Sequence, residues 1–502
     1  MDQSDFSILI GRLERQADER PRLYAAKLAG VAALGYLPLA LLGAIVLAVL
    51  VHIVRALLGE APPSIWMAAM GVGAGATLVA AARALLVRLE TPVHRSLTAE
   101  DAPQLFALLQ GLARRMNAPP LASVGVNGEF SASIRQTPRW GVFGGYRHHF
   151  TIGVPLLAAL DADEFAALAA HEMGHSNAGD GKFSAWIYRQ RMTWAAVQRK
   201  FAEPSSWFER MLARFYLWYA PYFYAYSFVL ARNHEYAADR AAARTTQAEA
   251  LARALVKLEL LGRFLSEVFW ERFFSHIERS AEPPYRPYSI MLRAFRIAQK
   301  EWSRPDWLRE GLSRYSAEDD AHPGLAERLA ALDLQPALPA FDESASALQL
   351  LDPAAAALVH HCDEEWRAEN LAQWRKRHDD LREARWKIAE YEQYDANDLK
   401  PEDLWAKAQL LFTVNRYADG VQTLELLVSR GGAFPKAHMQ LGQLLLEQQD
   451  ERGLDHLAAA AQQDAELTRT AGVVGYSYLV NRGRKREAMR FWERISAAAE
   501  AG

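Results

Sequence analysis

Apolar residues along the chain form two long uncharged runs, one aromatic run and several helical patterns. Leu28 to Val51 holds no charge over about 24 residues, enough for a helix to cross a bilayer. Ala61 to Ala82 is a second uncharged run of about 22 residues, and its Gly71, Gly73 and Gly75 suit close helix contact. Together they predict a transmembrane helical hairpin over 28–90. The first run is too long and starts too late for a cleaved signal peptide. Phe215 to Ala231 is also uncharged and rich in Tyr, Phe and Trp. At about 17 residues it is short for a span, so it reads as a helix in the core or at a membrane surface. Before residue 171 an Ala/Leu run opens with Asp161 and Glu164, the pairing of a capping box, and predicts a helix from near Ala162 that stops at Gly179 or Gly181.

After Leu350 the pattern changes. Asp363 to Tyr394 is charge-rich with Trp374, Leu381 and Ile388 seven apart, which predicts a long amphipathic helix across a linker of 346–400. Beyond Pro401, Trp405, Ala408, Phe412 and Val421 are echoed by His438, Leu441, Leu445 and Leu454, then by Gly472, Gly475, Leu479 and Ala488. The period of about 33–34 residues is that of tetratricopeptide repeats, so 401–502 reads as helical repeats with a surface for a protein partner.

Charge adds an orientation. Arg12, Arg15, Arg20, Arg22 and Lys27 precede the first run, Arg55 alone lies between the runs, and Arg83, Arg88 and Arg95 follow. Positive-inside reasoning puts residues 1–27 and everything after the hairpin in the cytoplasm, in a multi-pass protein of the inner or plasma membrane. The lone Cys362 rules out an internal disulfide framework, and the His360-His361-Cys362 run reads as helix surface. A net charge of −3 gives no sign of a nucleic-acid partner.

The candidate chemistry lies in His171-Glu172-Met173-Gly174-His175. On a helix, two histidines four apart share a face and can hold one metal ion, with Glu172 beside it as general base for a water. A catalytic zinc needs a third protein ligand. Glu235 and Asp239, again four apart, offer a carboxylate ligand and an acceptor for the outer N–H of a liganding histidine. His234 competes with Glu235 but points about 100° away round the helix.

This ordered set resembles the HtpX and CAAX-prenyl-endopeptidase family of membrane zinc metallopeptidases over about 95–335. Phe150 to Leu157 is similar to the family's strand-to-helix approach, Asp180 stands where members often carry an aspartate, and His322-Pro323 with Arg328 resembles its HPxxxxR segment. The resemblance implies one Zn2+ per chain on His171, His175 and Glu235, with Glu172 as base and His322 and Arg328 near the cleft as candidate catalytic groups. It also implies peptide or protein substrates, pairing of substrate with an edge strand between Val124 and Val154, and a role in membrane protein quality control. The expected fold is mainly α: the helical hairpin, a zincin-like α+β domain with a small sheet over 91–345, and the repeats. A membrane-tethered scaffold with a structural zinc is the rival, and Glu172 argues against it because a structural site needs no base. Prenyl-protein processing shares the metal site, but two spans do not enclose an intramembrane chamber.

Overall fold

The uncharged run that begins at Leu28 does not form one helix. A computed structural model of the chain describes residues 3–59, 95–138, 146–177, 207–314 and 323–500, with short pieces between 65 and 75 and between 183 and 191. Its first helices are α1 (Gln3–Glu19), α2 (Pro21–Leu34) and α3 (Leu37–Leu57). The run is broken at Gly35 and Tyr36, and Pro38 then sits in the first turn of α3. A proline there lacks only an N–H that a helix start leaves unpaired anyway. Leu28 and Ala32 of α2 are fully buried with Ile10 and Leu13 of α1 and with Tyr219 and Phe223 further on. The start of the expected first span therefore packs into protein core. The expected second span, 61–82, lies largely outside the described residues. Among the described residues no helix is long and apolar enough to cross a membrane, so the expected hairpin is not found. α3 nonetheless exposes Leu41, Ile45, Leu47, Leu50, Val51 and Val54.

A small mixed sheet follows, built from β1 (Arg95–Leu97), β2 (Leu121–Asn127), β3 (Ala132–Pro138) and β4 (Tyr146–Gly153) in the order β1-β2-β4-β3. β2 and β4 are parallel; the outer strands pair antiparallel to them. Alternation along β2 and β4 turns Val124, Val126, Phe150 and Ile152 into the core. They meet α4 (Pro103–Met116), whose Leu105, Leu109 and Leu112 recur at helical spacing and which ends at Asn117 in a left-handed cap. β4 runs directly into α5 (Val154–Ala159) through Gly153. A Cβ there would lie 1.6 Å from the carbonyl oxygen of Glu129, so only glycine fits.

α6 (Ala162–Asn177) starts where the capping box predicts. The amide of Asp161 donates to Glu164 Oε2 at 3.0 Å, and the amide of Glu164 donates to Asp161 Oδ1 at 2.8 Å. α7 (Trp207–Thr245) carries the aromatic run with Pro221 inside it. Tyr216, Tyr219, Phe223 and Phe228 are buried against α1 and α2, whereas Leu217, Trp218 and Tyr222 are exposed. α8 (Ala248–Phe264) packs on α6, and its Lys257 Nζ donates to the buried Glu164 carboxylate at 2.7 Å.

The chain divides into two compact units, 1–273 with 285–367, and 274–284 with 368–502. Residues 346–367 belong to the first. Ser346 Oγ donates to the Leu157 carbonyl, and Leu358 and Cys362 enter its core. Cys362 is thus buried, not surface as expected, and burial pushes its thiol up to about 12. In the second unit, helix pairs start at Pro401, Pro435 and Thr468, and each pair packs on itself and on the next. Gly442 and Gly453 let the middle pair approach closely, since a Cβ on Gly442 would lie 2.9 Å from the Gly453 carbonyl oxygen.

Candidate metal centre

Two helices and one strand assemble the site. α6 carries His171, Glu172 and His175 on successive turns, and the continuous α7 carries Glu235 and Asp239. They meet closely because position 174 is glycine: a Cβ there would lie 2.9 Å from the Ala238 Cα, in backbone that cannot yield cheaply. The buried Glu164–Lys257 pair fixes the other end of α6, supported by Arg253 at 3.3 Å.

His171 Nε2 lies 3.1 Å from His175 Nε2 and 3.6 Å from Glu235 Oε2, and His175 Nε2 lies 3.4 Å from Glu235 Oε1. Tetrahedral zinc with bonds of about 2.0–2.1 Å holds its donors about 3.3 Å apart, so these three residues fit that ion. Among the described residues they are the one group of three or more such side chains whose donor atoms all fall within 4.8 Å of each other. The neighbouring His234 is not part of that group.

Behind His171 stands a chain of oriented groups. Its Nδ1 donates to Asp239 Oδ1 at 2.8 Å, which leaves Nε2 as the free donor facing Glu235. Asp239 is fully buried and takes two hydrogen bonds from Arg328, from Nε at 2.8 Å and Nη2 at 2.6 Å. Burial alone would raise the Asp239 carboxyl, but the Arg328 and His171 hydrogen bonds outweigh it and hold the group at about 2. Arg328 thus lies on the Nδ1 side of His171, with Nη2 3.3 Å from that nitrogen. Its neighbour Glu327 caps the helix Leu325–Ala331 through the Gly324 amide at 2.8 Å and pairs with Arg232 of α7 at 2.6 Å. His322 and Asp180 lie outside the described residues.

Burial holds His175 down to about 3, with the facing His171 acting in the same direction, so the ring is neutral and able to ligate. Burial pushes the Glu172 carboxyl up to about 7, against the opposing pull of His171 and of a hydrogen bond from the Ile134 amide. That amide comes from β3, the edge strand. The three side chains that converge here are those the sequence singles out, but no signal in it marks Gly174, Lys257 or Ile134, whose roles arise from contacts between distant segments.

Residues 143–335, which include both metal motifs and Arg328, match the model of Peptidase family M48. The match supports a metallopeptidase of that family. No curated protein matches the chain.

Proposed function

We propose that the chain is a membrane-attached, zinc-dependent endopeptidase of the HtpX-like kind, acting in membrane protein quality control. The observation that carries the reading is the convergence of His171, His175 and Glu235 beside the buried carboxyl of Glu172. When bound, zinc supplies a Lewis acid for the scissile carbonyl and acidifies a water. Glu172 accepts a proton at its carboxylate and returns it to the leaving amine, which its value near about 7 suits. Asp239 and Arg328 keep the His171 ring fixed through Nδ1 during this exchange.

Substrate backbone pairs with the edge of β3 that no strand covers among the described residues. The Gly153 amide donates to the Ser131 carbonyl at 2.8 Å, whereas the Ile134 amide reaches Glu172. Odd-numbered residues of this stretch therefore turn their backbone groups to β4, and Ala132, Ile134 and Gln136 turn theirs to the open side. An extended peptide added there lies beside the base, with little sequence demand on the hydrogen-bonded part.

Attachment to a membrane is supported by the exposed apolar row of α3, and the cations before it favour a cytoplasmic catalytic unit. Tetratricopeptide-like pairing in the second unit, with a surface for a protein partner, is supported by the spacing of the helix starts at Pro401, Pro435 and Thr468. Casein cleavage by the purified, zinc-loaded chain and by its Glu172→Gln variant tests the activity. Cleavage by the parent alone is the expected result, and equal cleavage by both removes Glu172 from the mechanism.

A further inference from the structure

The β3 edge leads away from Glu172 toward a second feature. Four residues back from Ile134, at Phe130, the chain lines a cavity of about 170 Å³. Its other walls are Pro155 at the start of α5, Gly262 near the end of α8, Leu265, Trp270 and Met291. Leu265 opens a five-residue π-helical stretch, Leu265–Phe269, of the kind that recurs at functional sites. The cavity is lined almost wholly by apolar groups, and it is smaller than the roughly 300–1,000 Å³ of sites for whole small molecules. Its size matches one side chain.

We propose that this cavity is a subsite for an apolar side chain of the substrate, on the carboxy-terminal side of the scissile bond. The inference rests on the peptidase reading and adds a specificity to it. A peptide paired antiparallel to β3 runs toward Phe130 as it runs toward its own carboxyl end. Of the four steps back from Ile134 two lie in β3, which begins at Ala132, and two in the bend before it, so at about 3.3 Å per residue the cavity is at most about 13 Å from Ile134 and takes a residue about three to four after the cleaved bond. Main-chain pairing supplies affinity at the edge, and a side-chain pocket along that edge supplies the choice of sequence. Phe, Leu and Met suit the walls; a charged residue there would be desolvated without a partner.

Gly262 provides the test. A Cβ on it would make ordinary contact with the Phe130 ring at 3.7 Å, so Gly262→Ala is accommodated, whereas the longer side chain of Gly262→Leu fills the cavity. Both replace a glycine inside a helix and favour its folding. The full chain, zinc-loaded, is given a mixed peptide library, and the residues after each cleaved bond are read by mass spectrometry. The expected result for the parent and for Gly262→Ala is roughly tenfold enrichment of Phe, Leu and Met over Asp and Gly at the third to fifth position. Gly262→Leu is expected to lose the enrichment that Gly262→Ala keeps. A parent without enrichment there, or a Gly262→Leu variant that keeps it, overturns the subsite and leaves the peptidase intact. A parent that cleaves neither casein nor any library peptide overturns the peptidase reading, and the subsite with it.

Discussion

A carboxylate that takes up a proton near neutral pH needs surroundings that disfavour its charge, and burial supplies this at Glu172. Replacing it with glutamine keeps the shape and removes the base. We expect Glu172→Gln to retain its metal and to lose a factor of about 10² to 10⁴ in kcat/KM on a casein-derived peptide, as removal of general acid–base catalysis does. Arg328 acts at one remove, through Asp239 and His171. Arg328→Leu leaves the Asp239 carboxylate buried beside His171 without its cation, and zinc affinity in a chelator competition should fall about 10- to 100-fold. Arg328→Lys should restore part of it, because a lysine supplies charge but not the two-pronged geometry. Both metal motifs were legible in the sequence, since spacing on a helix fixes which residues share a face. A salt-bridged Arg328 was one of two readings open in the sequence, but its partner Asp239 was not, because it lies 89 residues away and only the tertiary fold brings them together.

Between elements, the close contact of α6 and α7 decides whether the donors meet. Gly174→Val would force a branched side chain into the Ala238 backbone, and the helices must separate. That variant should lose bound zinc and unfold at lower temperature than the parent in calorimetry; unchanged zinc content would show that the contact is not needed. A second element-level effect belongs to the repeat unit. His438 and His456, on neighbouring helices, face each other with Nδ1 atoms 3.0 Å apart, and burial holds both below the usual histidine range; His456 is also adjoined by Arg452, Glu425, Asp455 and Asp450. A group with a depressed folded value binds more protons when unfolded, so the stability it contributes is present above its ordinary value and is lost as pH falls. Thermal unfolding followed from roughly pH 7.5 to 5.5 should show a drop in Tm that His456→Gln reduces. The start of helix α6 was foreseeable because its capping box is local, while its expected stop at Gly179 or Gly181 lies outside the described residues, and β2, β3 and β4 fall within or beside the stretch expected to hold a strand. The break at Gly35 was not, since the run of apolar residues continues through it and the burial of Leu28 and Ala32 depends on α7, nearly two hundred residues on.

For the molecule as a whole, the family match covers 143–335. The proposed membrane attachment rests on the exposed apolar row of α3, which stands apart from the metal centre in sequence. Replacing Leu47 and Leu50 together with glutamate should move the protein from the membrane pellet to the supernatant while leaving casein cleavage in detergent unchanged; retention in the pellet would place the attachment elsewhere. The central claim is that one ion is shared by α6 and α7. Metal content per chain, measured by mass spectrometry on the parent and on Glu235→Ala, tests it most directly. The parent should carry about one zinc and the variant almost none after dialysis against a weak chelator. A parent without zinc, or a Glu235→Ala variant that holds it as firmly, would contradict the account.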